Sequence, residues 1–239
     1  MHYNTQDEVA FMNITNIIHP EGWRFVGIFA FVALIMMLFS QFAGWIGLIL
    51  TVWCFYFFRN PKRMTPIREG LLVSPADGKV VIVKEVVPPA ELEMGTDPLV
   101  RISVFLNVFD VHINRIPMDG VVKRVIYHSG RFFNAALDKA SEYNERNTIV
   151  IDTEFGDVAF VQIAGLIARR IRCDVTEGDR VAVGSQYGLI RFGSRMDIFL
   201  PKGMNPLVCV GQRVIAGESI LADFKSDEGP RQGRIVETL

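Results

Sequence analysis

Two regimes of hydrophobic patterning divide the chain. From Phe25 to Phe58 no Asp, Glu, Lys or Arg interrupts the apolar run, and Gln41 is its most polar member. A single straight helix over that span would be roughly 50 Å long, against a bilayer hydrocarbon core of ~30 Å. Its weakest helical stretch, Ser40-Gln41-Phe42-Ala43-Gly44, lies near the middle. The pattern therefore predicts two short apolar helices folded into a membrane hairpin with both ends on one side. A pair of buried core helices is the alternative, although core helices of this length normally show a polar face. After Thr65 the pattern changes. Leu71–Val73, Val80–Val87, Leu99–Val108, Val121–Tyr127, Thr148–Asp152, Val158–Ile163, Arg180–Val183, Leu189–Phe192 and Ile198–Leu200 are rich in Val, Ile and Phe, with Gly, Pro and Asp between them. Such runs predict strands. Only Ala140–Arg146 and the Leu166–Ile171 region have helical character. The expected architecture is mainly β (β-rich α+β): an N-terminal segment 1–64 carrying the hairpin, then a β-rich domain over 65–239.

An internal repeat refines the β reading. Gly178-Asp-Arg-Val181-Ala-Val-Gly184 returns 33 residues later as Gly211-Gln-Arg-Val214-Ile-Ala-Gly217. A glycine, an apolar residue three positions on and a second glycine suit a tight turn, a short inward-facing strand and another turn. Biotinyl- and lipoyl-type barrel-sandwich modules use similar wording, so the domain is expected to be barrel-sandwich-like.

Composition narrows the class. The chain has 239 residues, 50% hydrophobic and 21% charged, with a formal net charge of -1. A disordered tail, a collagen-like fibre and a polybasic nucleic-acid binder are excluded. Cys54, Cys173 and Cys209 lack metal-ligand spacing, which argues against a disulfide framework or a zinc site and for a reducing compartment. A cleavable leader fits poorly, because Arg24 is the sole Lys or Arg ahead of the apolar run and Asp7, Glu8 and Glu21 accompany it. Arg59, Lys62, Arg63 and Arg68 follow the run directly, and the positive-inside tendency puts them, and the domain after them, in the cytoplasm at the inner membrane.

The usual catalytic motifs are missing. His2, His19, His112 and His128 form no zinc-hydrolase pattern, and neither a G-x-S-x-G elbow nor a Walker loop is present. What remains is a constellation: Ser74-Pro-Ala-Asp77-Gly78, Asp110-Val-His112-Ile-Asn-Arg115-Ile-Pro117, Asn144-Glu145-Arg146-Asn147 and Phe192-Gly193-Ser194-Arg195. A Gly-Ser bond permits a backbone rearrangement, since glycine adds no side chain to shield its carbonyl and tolerates strained dihedrals. The Ser194 hydroxyl can attack the Gly193 carbonyl to give an ester.

Taken together in this order, the four motifs, with Met-Asp-Ile-Phe-Leu-Pro continuing the last of them, resemble the phosphatidylserine decarboxylase proenzymes in their short bacterial form. The resemblance covers about residues 55–224, and the apolar N-terminal block matches that family's membrane association. It implies a self-processing lyase that converts phosphatidylserine to phosphatidylethanolamine. Serinolysis between Gly193 and Ser194 would yield a β chain of 1–193 and an α chain of 194–239, the latter beginning with a pyruvoyl group made from Ser194. That group is the implied cofactor. Its ketone would form a Schiff base with the serine headgroup and draw off the electrons left when carbon dioxide departs. The α and β chains are expected to stay together, because the repeat glycines lie on both sides of the cut. The implied partners are the phospholipid substrate and the bilayer, without nucleic acid or metal; association into a homo-oligomer is left open.

By the same resemblance, Asp77 helps to orient a base during self-cleavage and His112 takes part in proton transfer. One departure is plain. Better-known members carry two histidines three residues apart in the second motif, whereas here His112 is followed by Arg115. Either His112 serves both cleavage and decarboxylation or another group, such as His128, supplies one proton. Asp110 either orients His112 or closes a turn. Arg195 and Arg115 are the candidates for the substrate's carboxylate or phosphate. A second function class stays open: a membrane-anchored carrier or adaptor domain. A biotinyl or lipoyl carrier needs a lysine at a hairpin tip, and only Lys202, near the end of Ile198–Leu200, approaches that position.

Overall fold

The computed structural model describes residues 17–130, 143–165, 170–191 and 193–234. The chain divides into two compact units, with the boundary between Lys62 and Arg63.

The first unit is a hairpin of α1 (Pro20–Phe39) and α2 (Gln41–Phe57). Ser40 alone separates them, with extended φ/ψ, and its side chain caps α2 by accepting from the Ala43 N–H. The stretch expected to form the link thus opens α2 instead, because a serine at the N-cap satisfies an otherwise orphaned amide. The helices meet through small residues. A Cβ on Gly47 would lie 2.7 Å from that of Ala33, and one on Gly44 would lie 2.6 Å from that of Met37. Backbone bonds from His19 N–H to the Phe58 carbonyl and from Asn60 N–H to the Ile17 carbonyl, each 2.8 Å, close the open end. Helix α1 is long and apolar enough to cross a membrane, and α2 is apolar but shorter. Phe31, Leu34, Leu38, Phe39 and Phe42 are exposed, which is costly in water and natural in lipid.

The second unit is mostly β. Its strands are β1 (Leu71–Val73), β2 (Gly78–Val86), β3 (Leu99–Leu106), β4 (Ile113–Arg115), β5 (Gly120–His128), β6 (Arg146–Thr153), β7 (Gly156–Ala164), β8 (Ile171–Cys173), β9 (Arg180–Val181), β10 (Gln186–Ile190), β11 (Ser194–Phe199), β12 (Arg213–Val214) and β13 (Ile220–Asp223). Eight of them form an antiparallel sheet in the order β12-β2-β3-β11-β7-β6-β5-β9, with β4-β10-β8 and β1-β13 as smaller sheets. The core lies on one face of the large sheet, where Ile102, Val104, Phe160, Met196 and Ile198 pack together and the Phe160 and Tyr187 rings meet edge-on at 5.2 Å. On the opposite face Val150, Val161, Ile163 and Phe199 are covered by Leu92, from a short 3₁₀ turn at Ala90–Leu92. Residues 140–142 and 166–169 of the two expected helical segments lie outside the described residues. Their ends belong to strands, since Arg146 opens β6 and Ile171 opens β8.

The repeat has a topological meaning. Its two copies supply β9 and β12, the opposite edges of the eight-stranded sheet. All four flanking glycines have positive φ, from +76° to +97°. The edges curl toward one another: a Cβ on Gly217 would come within 3.6 Å of the Gly184 Cα. Strand β11 lies at the centre, paired along all six residues with β3 on one side and β7 on the other.

Candidate active site

One row of the sheet gathers the sequence motifs. Ser194, first residue of β11, is directly opposite Leu106 at the end of β3 and Ala164 at the end of β7. Gly78 opens β2 beside the same end of β3, and the Ala164 N–H donates to the Glu145 carbonyl at 2.9 Å. Antiparallel pairing therefore carries Asp77-Gly78, the segment after Leu106, Asn144-Glu145 and Gly193-Ser194 to one end of one sheet. Phe192 lies outside the described residues.

The Asp77-Gly78 pair is a strand entry, not the hairpin turn that such a dipeptide suggests by default. A Cβ on Gly78 would come within 2.2 Å of the Phe105 carbonyl oxygen, so glycine is needed for the close approach of β2 to β3. The loop before it is tied down by the Ser74 hydroxyl, which donates to the Ala76 carbonyl at 2.7 Å. Backbone bonds run from Arg115 N–H to the Pro75 carbonyl and from Gly217 N–H to the Ser74 carbonyl. Asp77 Oδ2 accepts from Arg63 Nη2 at 2.7 Å, and its Oδ1 accepts from the Ala216 N–H at 2.8 Å. Burial pushes the Asp77 carboxyl above its usual range; the Ala216 amide and the Arg63 guanidinium oppose this, and the Asp110 carboxylate adds to it.

Ser194 is fully buried and its Oγ has no hydrogen-bond partner among the described residues. Gly193 before it adopts φ +69°, a left-handed conformation that costs an L-residue about 1–2 kcal/mol. Gly193 is only half-buried, so the bond between them sits where the interior meets the surface. The Gly193 N–H donates to His112 Nε2 at 3.2 Å. His112 is buried, and its Nδ1 is 3.0 Å from the Asp110 carbonyl oxygen. A carbonyl only accepts, so the proton is on Nδ1 and the lone pair of Nε2 faces the Gly193-Ser194 segment.

Asp110 has contacts of both kinds, through different atoms. Its backbone carbonyl orients His112, while its carboxylate closes the 107–110 turn through the Asn107 N–H at 2.9 Å and pairs with Arg213. Asp77 engages Arg63 and Ala216 rather than the imidazole. Arg195 lies on the other face of β11. Successive strand residues point to opposite faces, so Arg195 faces away from the Ser194 side chain. It is fully buried, with Nε and Nη2 on the two Asp197 oxygens at 2.7 and 2.8 Å. Its guanidinium is thus engaged by a buried carboxylate. Arg115 is half-buried, donates from Nη1 to the Gly184 carbonyl at 2.7 Å, and is lowered in pKa by burial and then by the nearby Arg63 charge. His128 is opposite Arg146 on β5, three strands from β11 and thus about 14 Å away at ~4.8 Å per strand. Its Nε2 is 2.9 Å from Glu91. It is no substitute for a second histidine at the Gly193-Ser194 bond.

The motif reading also missed residues. Gln162, on β7 opposite Met196, shares the inner face with Ser194. Its Nε2 donates to Asn114 Oδ1 at 2.9 Å, and its Oε1 accepts from Asn147 Nδ2 at 3.0 Å. All three amides are buried. Asn114 and Asn147 stand inside quoted motifs, but a lone glutamine in a strand run carries no signal of its own.

The site geometry can be set beside known proteins. The family model for phosphatidylserine decarboxylase matches residues 50–222. A phosphatidylserine decarboxylase proenzyme from Cereibacter sphaeroides is 56% identical over 216 residues, covering 90% of this chain and 93% of its own. One from Paramagnetospirillum magneticum is 54% identical, covering 91% of each chain. A third, from Nitrobacter winogradskyi, is 56% identical over 89% of this chain and 86% of its own.

Proposed function

The chain belongs to the phosphatidylserine decarboxylase family, and from that premise we propose that it is a decarboxylase of phosphatidylserine that makes its own pyruvoyl cofactor by cleaving Gly193–Ser194. The observation that carries the proposal is the pairing of a fully buried, unpartnered Ser194 hydroxyl with a left-handed Gly193 whose amide is held by an imidazole lone pair. A buried hydroxyl normally finds a partner; Ser103 and Thr148 also have buried hydroxyls without one, so what sets Ser194 apart is the adjoining left-handed Gly193 and its bond to His112. The carrier or adaptor alternative has no such feature behind it.

The residues fit the group. In processing, the Ser194 oxygen adds to the Gly193 carbonyl carbon and the Ser194 nitrogen departs from it, which converts the amide to an ester. His112 Nε2 takes the hydroxyl proton as general base and returns it to the departing nitrogen. The Asp110 carbonyl keeps the imidazole in the tautomer that leaves Nε2 free of a proton. Elimination and hydrolysis then leave ammonia and a 194–239 chain that starts with the ketone. Once formed, a pyruvoyl group supplies an electron sink for loss of the substrate's α-carboxylate. We assign the same imidazole the delivery of the proton that replaces that carboxylate, so one histidine serves both stages. Arg115 supplies positive charge for the anionic headgroup. The six-residue ladders on both sides of β11 support continued association of the two pieces. The apolar hairpin and the basic residues after it support a bilayer location with the catalytic domain on the cytoplasmic side.

Intact mass of the purified full chain tests the reading. Two pieces are expected, 1–193 and 194–239, with the second lacking a free amino terminus and reacting with a carbonyl reagent such as phenylhydrazine. A single unmodified chain overturns it.

Asp77 contributes a charge at the processing end of the sheet, and pH tests this role. Burial holds its carboxyl above the usual range and Arg63 holds it down. An Arg63→Gln change removes the second influence, so Asp77 ionises at higher pH. The acid limb of the processing-rate profile should then move to higher pH while the alkaline rate stays put. A limb that does not move removes Asp77 from the step.

A further inference from the structure

Besides Ser194 Oγ, one other buried polar atom at the inner-face site has no partner among the described residues: Asn114 Nδ2. Asn114 is fully buried, and an amide donor left unsatisfied there keeps the full cost of its lost hydration. Its orientation is set by its neighbours. Gln162 Nε2 lies 3.3 Å from the Arg172 carbonyl, which only accepts, so the Gln162 amide must present its nitrogen on that side. The same nitrogen donates to Asn114, which must therefore present its oxygen to Gln162. At the other end Asn147 Nδ2 donates to Gln162 Oε1. The three amides form a chain with one possible polarity, and its free end is the NH₂ group of Asn114.

The position of that free end follows from the ladder. The Ile190 N–H donates to the His112 carbonyl, one step beyond the Leu189–Ile113 pair, so His112 continues the line of β4. Alternation along that line places His112 and Asn114 on one face. His112 contacts Gly193, and Asn114 contacts Gln162, which is opposite Met196. The two contacts bracket Ser194, whose side chain faces the same interior as Gln162. An unused donor and an unused hydroxyl thus face the same interior, within one stretch of the inner face.

We propose that the Asn114 amide donates to the Ser194 side-chain oxygen during self-processing and stabilises the charge that collects there. This rests on the reading of Gly193–Ser194 as the processed bond. In the ester, the Ser194 oxygen carries the Gly193 acyl group. His112 removes the Cα hydrogen of residue 194, that electron pair becomes the Cα–Cβ double bond, and the Cβ–Oγ bond breaks with its electrons leaving on the Gly193 carboxylate. The departing oxygen is the old Oγ, and a preorganised N–H aimed at it lowers the barrier without cost at the moment of reaction.

The test uses the full-length chain in detergent with three forms compared: wild type, Asn114→Leu and Asn114→Asp. Elimination is expected to slow by about 10²-fold in both variants near neutral pH, the scale for loss of one such donor. The ester should then accumulate. Hydroxylamine would release a 194–239 fragment with an ordinary serine at its start, and because the ester forms only in a folded site, its appearance also reports folding. Lowering the pH should restore elimination in Asn114→Asp, whose protonated carboxyl regains an O–H donor, and not in Asn114→Leu. Variants that convert at the wild-type rate, that stall uncut and hydroxylamine-stable, or that show the same pH response overturn the assignment. Normal conversion of the wild type beside them would leave the processed bond standing and remove Asn114 alone; an uncut wild type would remove both.

Discussion

Replacement of Ser194 by alanine is expected to leave a single chain of 239 residues with no decarboxylase activity. The change removes one buried side-chain oxygen that makes no hydrogen bond among the described residues, so little stability is at stake. Strand β11 keeps every backbone pairing, since register with β3 and β7 depends on the main chain. The folded proenzyme should therefore survive while the attacking atom is gone, and with it the source of the ketone. Intact mass and release of labelled carbon dioxide from phosphatidylserine, measured on one preparation, check both halves. Cleavage at 193/194 in this variant would mean that a different atom attacks. Decarboxylation by the uncut chain would mean that the electron sink is not at residue 194.

The second large effect is expected at His112. Loss of a positioned acid or base typically costs 10²–10⁴-fold, and His112→Gln should slow processing by about 10²-fold or more on that scale. Glutamine keeps a polar group near the Gly193 amide but offers no imidazole nitrogen that cycles through protonation. The main-chain bond from Ile190 to the His112 carbonyl is untouched, so the β4 line persists. A pulse-chase of newly made protein would follow conversion to the two pieces. Because one histidine is assigned both stages, the fraction that does become processed should also decarboxylate poorly. Conversion at the wild-type rate would remove His112 from processing. Normal turnover by slowly formed product would restrict it to processing.

Much of the architecture was legible before any coordinates. Period and composition located most of the long strands, because a Val- and Ile-rich run between glycines has few other stable conformations. The runs at Val121–Tyr127 and Val158–Ile163 lie within β5 and β7. What was missed was short or polar: β4, β8 and β13 have three or four residues each, too few to show a period. Ile171 drew a helical reading for the same reason. The glycine repeat announced two turn-strand-turn units but not that they would become opposite edges of one sheet, which depends on pairings remote in sequence.

The motifs named His112, Asp77 and Ser194 as candidates, since residue type alone says which side chains can attack, accept a proton or carry charge. Partners are another matter. That His112 is oriented by a backbone carbonyl and not by a carboxylate, that Asp77 answers to Arg63 and Ala216, and that Arg195 turns away from Ser194 to meet Asp197 were decided by the fold. A carbonyl is present at every position and so leaves no mark in a sequence. Which face a strand residue takes is set by one-residue register, and register is fixed by packing and cross-strand pairing. The linear chain thus determined which chemistry was affordable and roughly where strands would run; tertiary pairing alone decided which of those groups meet, because contact between residues eighty positions apart is a property of the sheet and not of either segment.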